Sequence, residues 1–456
     1  MIRMLKINKW WIIWVAFTLA LTAYYANSLA GNDKEVFLPG KASNGHYQIE
    51  NKCNTCHGDG FDDKETLQKS CIRCHSKELK AVNDSHPKKK FTNPRNADRV
   101  ALLDARICTT CHIEHKTDKT LSMGVTLPED YCFICHKDVA KNRPSHKGMS
   151  FETCDDAGCH NYHDNKALYE EYLVKHNDQK NHLDDMILPH KDLKKIFQEK
   201  NEKFKITLNE KDIDSPDEIE ISQKVVYQWK TTAHAKSGVN CNECHDKKGT
   251  WSFKPGIKLC SKCHDKEADG FLASKHGMRL AEDLTAMKVS QARIIMRSDA
   301  GNKSINCQSC HSDHAFNTET AAIDACLNCH ADKHSKSYKK STHYRSYLAL
   351  KNNNNAQNQG VTCATCHMPR ISIYDNYVER TLVDHNQNNT LRPNEKMVRA
   401  VCMNCHGLKF SLESLADNTL IENNFNGIPK QENKGFEMAM IREELKKKGL
   451  IKDDKK

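Results

Sequence analysis

Polar and charged residues are spread so evenly along this chain that its apolar runs stand out. The first is Trp10–Ala30, which carries no charge; Arg3, Lys6 and Lys9 precede it and Asp33 is the first charge after it. A basic start followed by an apolar run is the pattern of an export leader, and Ser28 and Ala30 supply the small residues for cleavage after Ala30. The run is also long enough to cross a bilayer as a helix, so a retained N-terminal anchor is the alternative to a cleaved signal. Beyond it, helical spacing of apolar positions predicts short helices over Asp98–Ile107, Gly270–Ala286, Lys336–Ala349, Leu408–Ala416 and, with a polar face, Lys434–Lys447. Two more helix-like stretches, Lys166–His176 and Lys191–Lys205, lie in a highly charged bridge from about Asp164 to Val226, where Ser215-Pro216 breaks the pattern. The Asn- and Gln-rich Lys351–Gly360 reads as a surface loop. Strand signals are few. The fold class is mostly α, with extensive irregular chain.

Every cysteine belongs to a pair that ends in histidine. The 22 cysteines form eleven units with none left over. Ten are Cys-x-x-Cys-His: Cys53, Cys56 and His57; Cys71, Cys74 and His75; Cys108, Cys111 and His112; Cys132, Cys135 and His136; Cys241, Cys244 and His245; Cys260, Cys263 and His264; Cys307, Cys310 and His311; Cys326, Cys329 and His330; Cys363, Cys366 and His367; Cys402, Cys405 and His406. The eleventh, Cys154, Cys159 and His160, has four residues between its cysteines. This is the attachment signature of haem c: two thiols add to the porphyrin vinyl groups and the adjacent histidine gives the iron one imidazole nitrogen. Zinc knuckles need four ligands and do not require a histidine after each second cysteine, and a disulfide framework predicts no such histidine. The chain therefore reads as a carrier of eleven covalent haems.

Composition then makes sense. Only 38% of residues are hydrophobic and 28% are charged, too polar a balance for side chains alone to fill a large core. Eleven haems in 456 residues give one haem per about 41 residues, and their faces supply the missing apolar surface, forming the core of a multihaem cytochrome c. The formal charge of +10 points away from nucleic acid once up to about 22 propionate charges are set against it; no basic-aromatic binding pattern accompanies it.

The units fall into two blocks. The resulting organisation is 1–30 leader or anchor, 31–163 a five-haem module, 164–225 a charged connector, 226–420 a six-haem module and 421–456 a polar C-terminal tail. Of 25 histidines, eleven belong to the units, which leaves fourteen. The expected sixth ligands are His46, His86, His115, His146, His163, His234, His276, His314, His334, His343 and His385. The expected non-ligands are among His176, His182 and His190 in the bridge. The second block holds six haems and six spare histidines; if each closes one iron, no site there is left open. Methionine ligation is the minority expectation.

Residues 226–420 resemble the superfamily of hydroxylamine oxidoreductase and the octahaem and pentahaem nitrite reductases. The resemblance is carried by Trp229-Lys230-Thr231-Thr232-Ala233-His234, Gly238-Val239-Asn240, Ser274-Lys275-His276-Gly277, Tyr338-Lys339-Lys340-Ser341-Thr342-His343, Cys366-His367-Met368-Pro369, and Val401-Cys402-Met403-Asn404-Cys405-His406 with Phe410. It implies that a catalytic haem, if there is one, sits at Cys260, Cys263 and His264. That family's crosslinking tyrosine from the C-terminal region has no counterpart, since no tyrosine follows Tyr377. Residues 43–176 resemble class III, cytochrome c3-like modules, through their dense spacing, Cys111-His112-Ile113-Glu114-His115 and the wide unit of Cys154 and Cys159.

The leading expectation is a periplasmic, exported electron carrier with mostly bis-histidine haems. Its partners would be membrane or periplasmic redox proteins, a quinol-oxidising cytochrome first among them. The alternative is a reductase of nitrite, hydroxylamine, sulfite or tetrathionate at one open haem, with His314 beside Asp313 as proton donor. Filament assembly is a third class, which the three surplus histidines permit.

Overall fold

The computed structural model describes residues 9–31, 34–58, 64–82, 86, 88–142, 146, 162–164, 170–184, 206–246, 249–352, 360–375, 378–391 and 394–450. Cys154, Cys159 and His160, the residues of the wide unit, lie outside them, as do His190 and the helix expected over Lys191–Lys205. So does most of the loop expected over Lys351–Gly360. The fold is mostly helical with much irregular chain. Its longest helices are Lys9–Ala30, Lys64–Ala81 and Lys434–Lys447. Lys9–Ala30 buries none of its residues and is long and apolar enough to cross a membrane. The strands described form one antiparallel hairpin, Arg370–Asp375 with Val378–Val383, paired Arg370 to Val383 through Asp375 to Val378.

The chain divides into two compact units: Met1–Lys80 with Pro87–Tyr131, and Ala81–His86 with Cys132–Lys456. In the second unit, side chains alone make one apolar cluster. Leu408 and Leu412 from the Leu408–Ala416 helix, Phe436 and Ala439 from the C-terminal helix, Val398, and Leu173 from the short helix Glu170–Lys175 of the bridge pack together. Elsewhere the buried apolar positions are often small, as at Ala235, Ala268, Ala300, Ala321, Ala325 and Ala331. The boundary between the two compact units falls at Tyr131, ahead of Cys132, Cys135 and His136.

Several haem units fold as one helical turn for a local reason. Cys241–His245, Cys307–His311 and Cys363–His367 are helices whose first cysteine follows a capping residue. Asn306 accepts from Ser309 N while Ser309 Oγ reaches back to Asn306 N, and Thr362 with Thr365 does the same. Such reciprocal caps satisfy donors that a helix start leaves open. One turn then puts positions i, i+3 and i+4, the two thiols and the imidazole, on one side. The turn recurs in units with other flanks: the histidine N–H donates to the first cysteine carbonyl at Cys53, Cys108, Cys260, Cys326 and Cys402, at 2.8–2.9 Å.

Helix boundaries match the sequence pattern at Leu408–Ala416 and Lys434–Lys447. Three expected helices are shorter or broken. Asp98–Ile107 is helical only over Ala97–Leu102, because Leu103 is extended. Gly270–Ala286 is two helices, Asp265–Ala273 and Met278–Ala281, interrupted at the extended Ser274, whose hydroxyl donates to Phe271 O and accepts from His276 N. Lys336–Ala349 is broken at the fully buried, extended Ser341, between Lys333–Ser337 with its following turn and Thr342–Asn352. The last two breaks fall beside His276 and His343, so interrupting the helix is what aims each imidazole.

Candidate haem-binding sites

Among the described residues, nine of the attachment histidines face a second imidazole at nearly constant spacing. In the first unit, His75 faces His46 with ring centres 5.8 Å apart, and His57 faces His115 at 6.5 Å. In the second, His136 faces His86 at 6.2 Å, His264 faces His234 at 6.0 Å, and His245 faces His314 at 5.9 Å. His330 faces His276 at 6.2 Å, His311 faces His385 at 6.2 Å, His367 faces His334 at 6.1 Å, and His406 faces His343 at 6.2 Å. A metal–imidazole bond of about 2 Å, with about 1.1 Å more from nitrogen to ring centre, puts two rings on one metal ~6 Å apart. The spacing fits an iron held from both sides. The angle between facing rings varies from 14° for His245 and His314 to 85° for His334 and His367, so the constancy belongs to the distance.

Many outer ring nitrogens are also occupied, whereas His367 Nδ1 is buried without a hydrogen-bond partner among the described residues. His86, His112, His115, His245, His334, His385 and His406 donate Nδ1–H to the carbonyls of Tyr162, Gly124, Gly40, Ser252, Ile421, Val383 and Asn181. This bond fixes the tautomer that leaves Nε2 free as a ligand. The two imidazoles of one pair instead meet carboxylates: His46 Nδ1 lies 2.6 Å from Glu114 Oε1, and His75 Nδ1 lies 2.9 Å from Glu78 Oε2. Glu114 also accepts from Ser43 N at 2.7 Å and Ser43 Oγ at 2.8 Å. Burial opposes its ionisation, but the bonds from His46 and Ser43 outweigh burial and hold the carboxyl at about 2. Burial, with a neighbouring imidazole, pushes His276, His343 and His367 down to about 4, which keeps these rings neutral and their lone pairs available. Asn424 Nδ2 stands 3.1 Å from His334 Nε2 and 3.2 Å from His334 O.

The attachment points follow one another closely. In the first unit Cys71 lies near Cys108 and Cys56. In the second, Cys244 lies near Cys260 and Cys263, Cys260 near Cys307, and Cys310 near Cys326 and Cys329. Cys326 lies near Cys363, and Cys366 near Cys402 and Cys405. The six units from Cys241 to His406 are thus neighbours in space in the order in which they occur in sequence. Cys132 and Cys135 are half-buried. Cys135 sits beside His136 on the one-turn helix Phe133–His136, with Cys132 capping its start. The same single turn therefore presents Cys135 and the ring that faces His86. For Cys154, Cys159 and His160, outside the described residues, the assignment as a haem unit rests on the sequence spacing alone.

Of the remaining sequence candidates, His163 packs edge-on against Tyr162 at 5.1 Å, and His146 is half-buried. His176 lies 4.4 Å from the Tyr172 ring. His182 sits 4.7 Å from His406, closer than any facing pair, and bridges it in antiparallel fashion. The bridge segment clamps the last unit further: Leu183 N donates to Cys405 O, Gly407 N to Asn181 O, and Leu408 N to Gln179 Oε1. His314 stands opposite His245 at the spacing of the other pairs rather than apart from it. Glu78, Gly40 and Asn181 were not singled out by the sequence pattern. Glu114 was visible only as part of Cys111-His112-Ile113-Glu114-His115.

Paired thiols, each followed by an imidazole that faces another imidazole, define a multihaem c-type cytochrome, an electron-transfer protein holding several covalent haems. Residues 45–137 match the family model for cytochrome c3, and residues 259–324 match that for cytochrome c554 and c-prime. The first match supports the class III-like reading of the N-terminal module, and it includes Cys132, Cys135 and His136. No curated protein and no solved structure matched the chain.

Proposed function

We propose that the chain is an undecahaem cytochrome that carries electrons through a succession of mostly bis-histidine haems in the periplasm. The observation that carries this reading is the set of facing imidazoles. In the module from Cys241 to His406, the six attachment histidines are met by His234, His276, His314, His334, His343 and His385, one each. When bound, haem c supplies one-electron exchange at its iron. The polypeptide's part is to fasten each macrocycle through two thiols, to hold an imidazole on either side, and to keep successive attachment points in contact. His46, His86, His115, His146 and His163 are the sixth ligands proposed for the five N-terminal haems, the one at Cys154, Cys159 and His160 included. The apolar helix Lys9–Ala30 is compatible with an export signal or an anchor, and cytochrome c3-like proteins are typically periplasmic. A quinol-oxidising membrane cytochrome and other periplasmic redox proteins are the proposed partners. The likeness of residues 226–420 to the hydroxylamine oxidoreductase superfamily then describes an inherited scaffold. At Cys260, Cys263 and His264, where that likeness would put a catalytic haem, His234 stands opposite His264, which favours conduction over reduction of a nitrogen or sulfur oxyanion there.

Electron paramagnetic resonance of the oxidised holoprotein tests this. We expect wholly low-spin ferric signals that integrate to the haem count obtained by mass spectrometry. A high-spin signal worth one haem, with a new optical band on adding nitrite, hydroxylamine or sulfite, would replace the carrier by an enzyme.

A further inference from the structure

We propose that Glu114 and Glu78 together lower the reduction potential of the haem attached at Cys71 and Cys74. The inference rests on the reading above in one respect, that His46 and His75 are the two ligands of that haem. Their rings face each other at 5.8 Å, and each outer nitrogen is held by a carboxylate. The outer nitrogens of His86, His115, His245, His334, His385 and His406 meet neutral main-chain carbonyls instead.

A carboxylate acts on a ligating imidazole in two ways. Its hydrogen bond is charge-assisted and draws the Nδ1 proton outward, which makes Nε2 a stronger donor. Its negative charge also stabilises the ferric state over the ferrous one, whose iron carries one positive charge less. Both effects oppose reduction, and at this haem they act from both faces. The two carboxylates are unequal. Glu78 lies three residues beyond His75 on the same helix, and the pair is exposed, 47% for His75 and 39% for Glu78. Glu114 makes the shorter bond, is 33% exposed, and is fixed by two further donors from Ser43. Screening by water is therefore weaker at Glu114, and Glu114 is the stronger positioning and tuning residue.

The experiment compares the full-length holoprotein with Glu114→Gln, Glu78→Gln and the double variant. A glutamine oxygen can still accept from Nδ1, so the ring keeps a partner while the charge is lost. Chemical reductant is added stepwise, each electron converting one ferric iron to ferrous, and absorbance is followed against potential. One one-electron component of the wild-type curve is expected to move to higher potential. Glu114→Gln moves it more than Glu78→Gln, and the double variant moves it furthest. The spectrum stays low-spin, with a shifted largest g value for one haem. The idea is overturned if no component moves in the double variant. It is equally overturned if Glu114→Gln produces a high-spin signal worth one haem, because Glu114 would then secure the ligand rather than tune it. Peptide mass spectrometry of the wild type separates this from failure of the underlying reading, which a Cys71–Cys74 peptide without its haem adduct would signal.

Discussion

Gly40 shows how a single residue can govern a haem ligand from a distance. Its carbonyl accepts from His115 Nδ1 at 2.8 Å, and a Cβ on Gly40 would come within 2.5 Å of the His115 carbonyl oxygen. A main-chain oxygen cannot swing aside as a side chain can, so Gly40→Ala must push the two segments apart. His115 then loses its hold opposite His57. A high-spin ferric signal worth about one haem is expected in Gly40→Ala and none in Gly256→Ala, where the added methyl meets open space; resonance spectra of the two variants decide it. At this scale the attachment residues are read from the sequence alone, because covalent chemistry demands thiols and an imidazole at fixed spacing. Which distal histidine faces which proximal one was not. His46 meets His75 and His115 meets His57, crossing in sequence, and such pairings follow from tertiary packing. The carbonyls that hold Nδ1 were invisible for a simpler reason: every residue has one.

Among elements, sequence pattern succeeded where side chains make the core and failed where ligands do. The Leu408–Ala416 and Lys434–Lys447 helices have the expected ends because their apolar faces pack against other side chains. The Gly270–Ala286 and Lys336–Ala349 stretches carry helical periodicity too, yet Ser274 and Ser341 interrupt them. There, aiming His276 and His343 wins over continuing the backbone ladder. The hairpin at Arg370–Asp375 had a readable signal, the alternation of Ile371, Ile373 and their polar neighbours with an aromatic at Tyr374, which was subsumed in the general scarcity of strands. The apolar cluster gives a direct test. Leu408 is fully buried within it, so Leu408→Ala should destabilise the second unit by about 2–5 kcal/mol. Denaturant unfolding followed by far-ultraviolet circular dichroism measures this, with the number of attached haems unchanged.

For the molecule as a whole, the one side-chain cluster among the described residues is a small core. The many buried alanines suit close approach to large flat groups more than packing among themselves. Folding should therefore be inseparable from haem attachment, as metal binding is from folding in small metal domains. Chain produced without haem maturation is expected to be digested by protease at concentrations the holoprotein resists; equal resistance would show that side chains suffice. The two blocks of units and the bridge between them are read from the spacing of cysteines alone. That the bridge packs on the second module was not, since its contacts are a few apolar residues at Tyr172 to Val174 and a main-chain bridge at Asn181 to Leu183. This clamp has a consequence for the order of assembly. The last unit, Cys402 to His406, binds a segment made more than two hundred residues earlier. On a chain that emerges amino end first, that segment is without these partners until Cys405 to Leu408 have followed. Completion of the module thus waits on its last unit, and a product cut short before Met403 leaves those groups of the bridge open to a second copy.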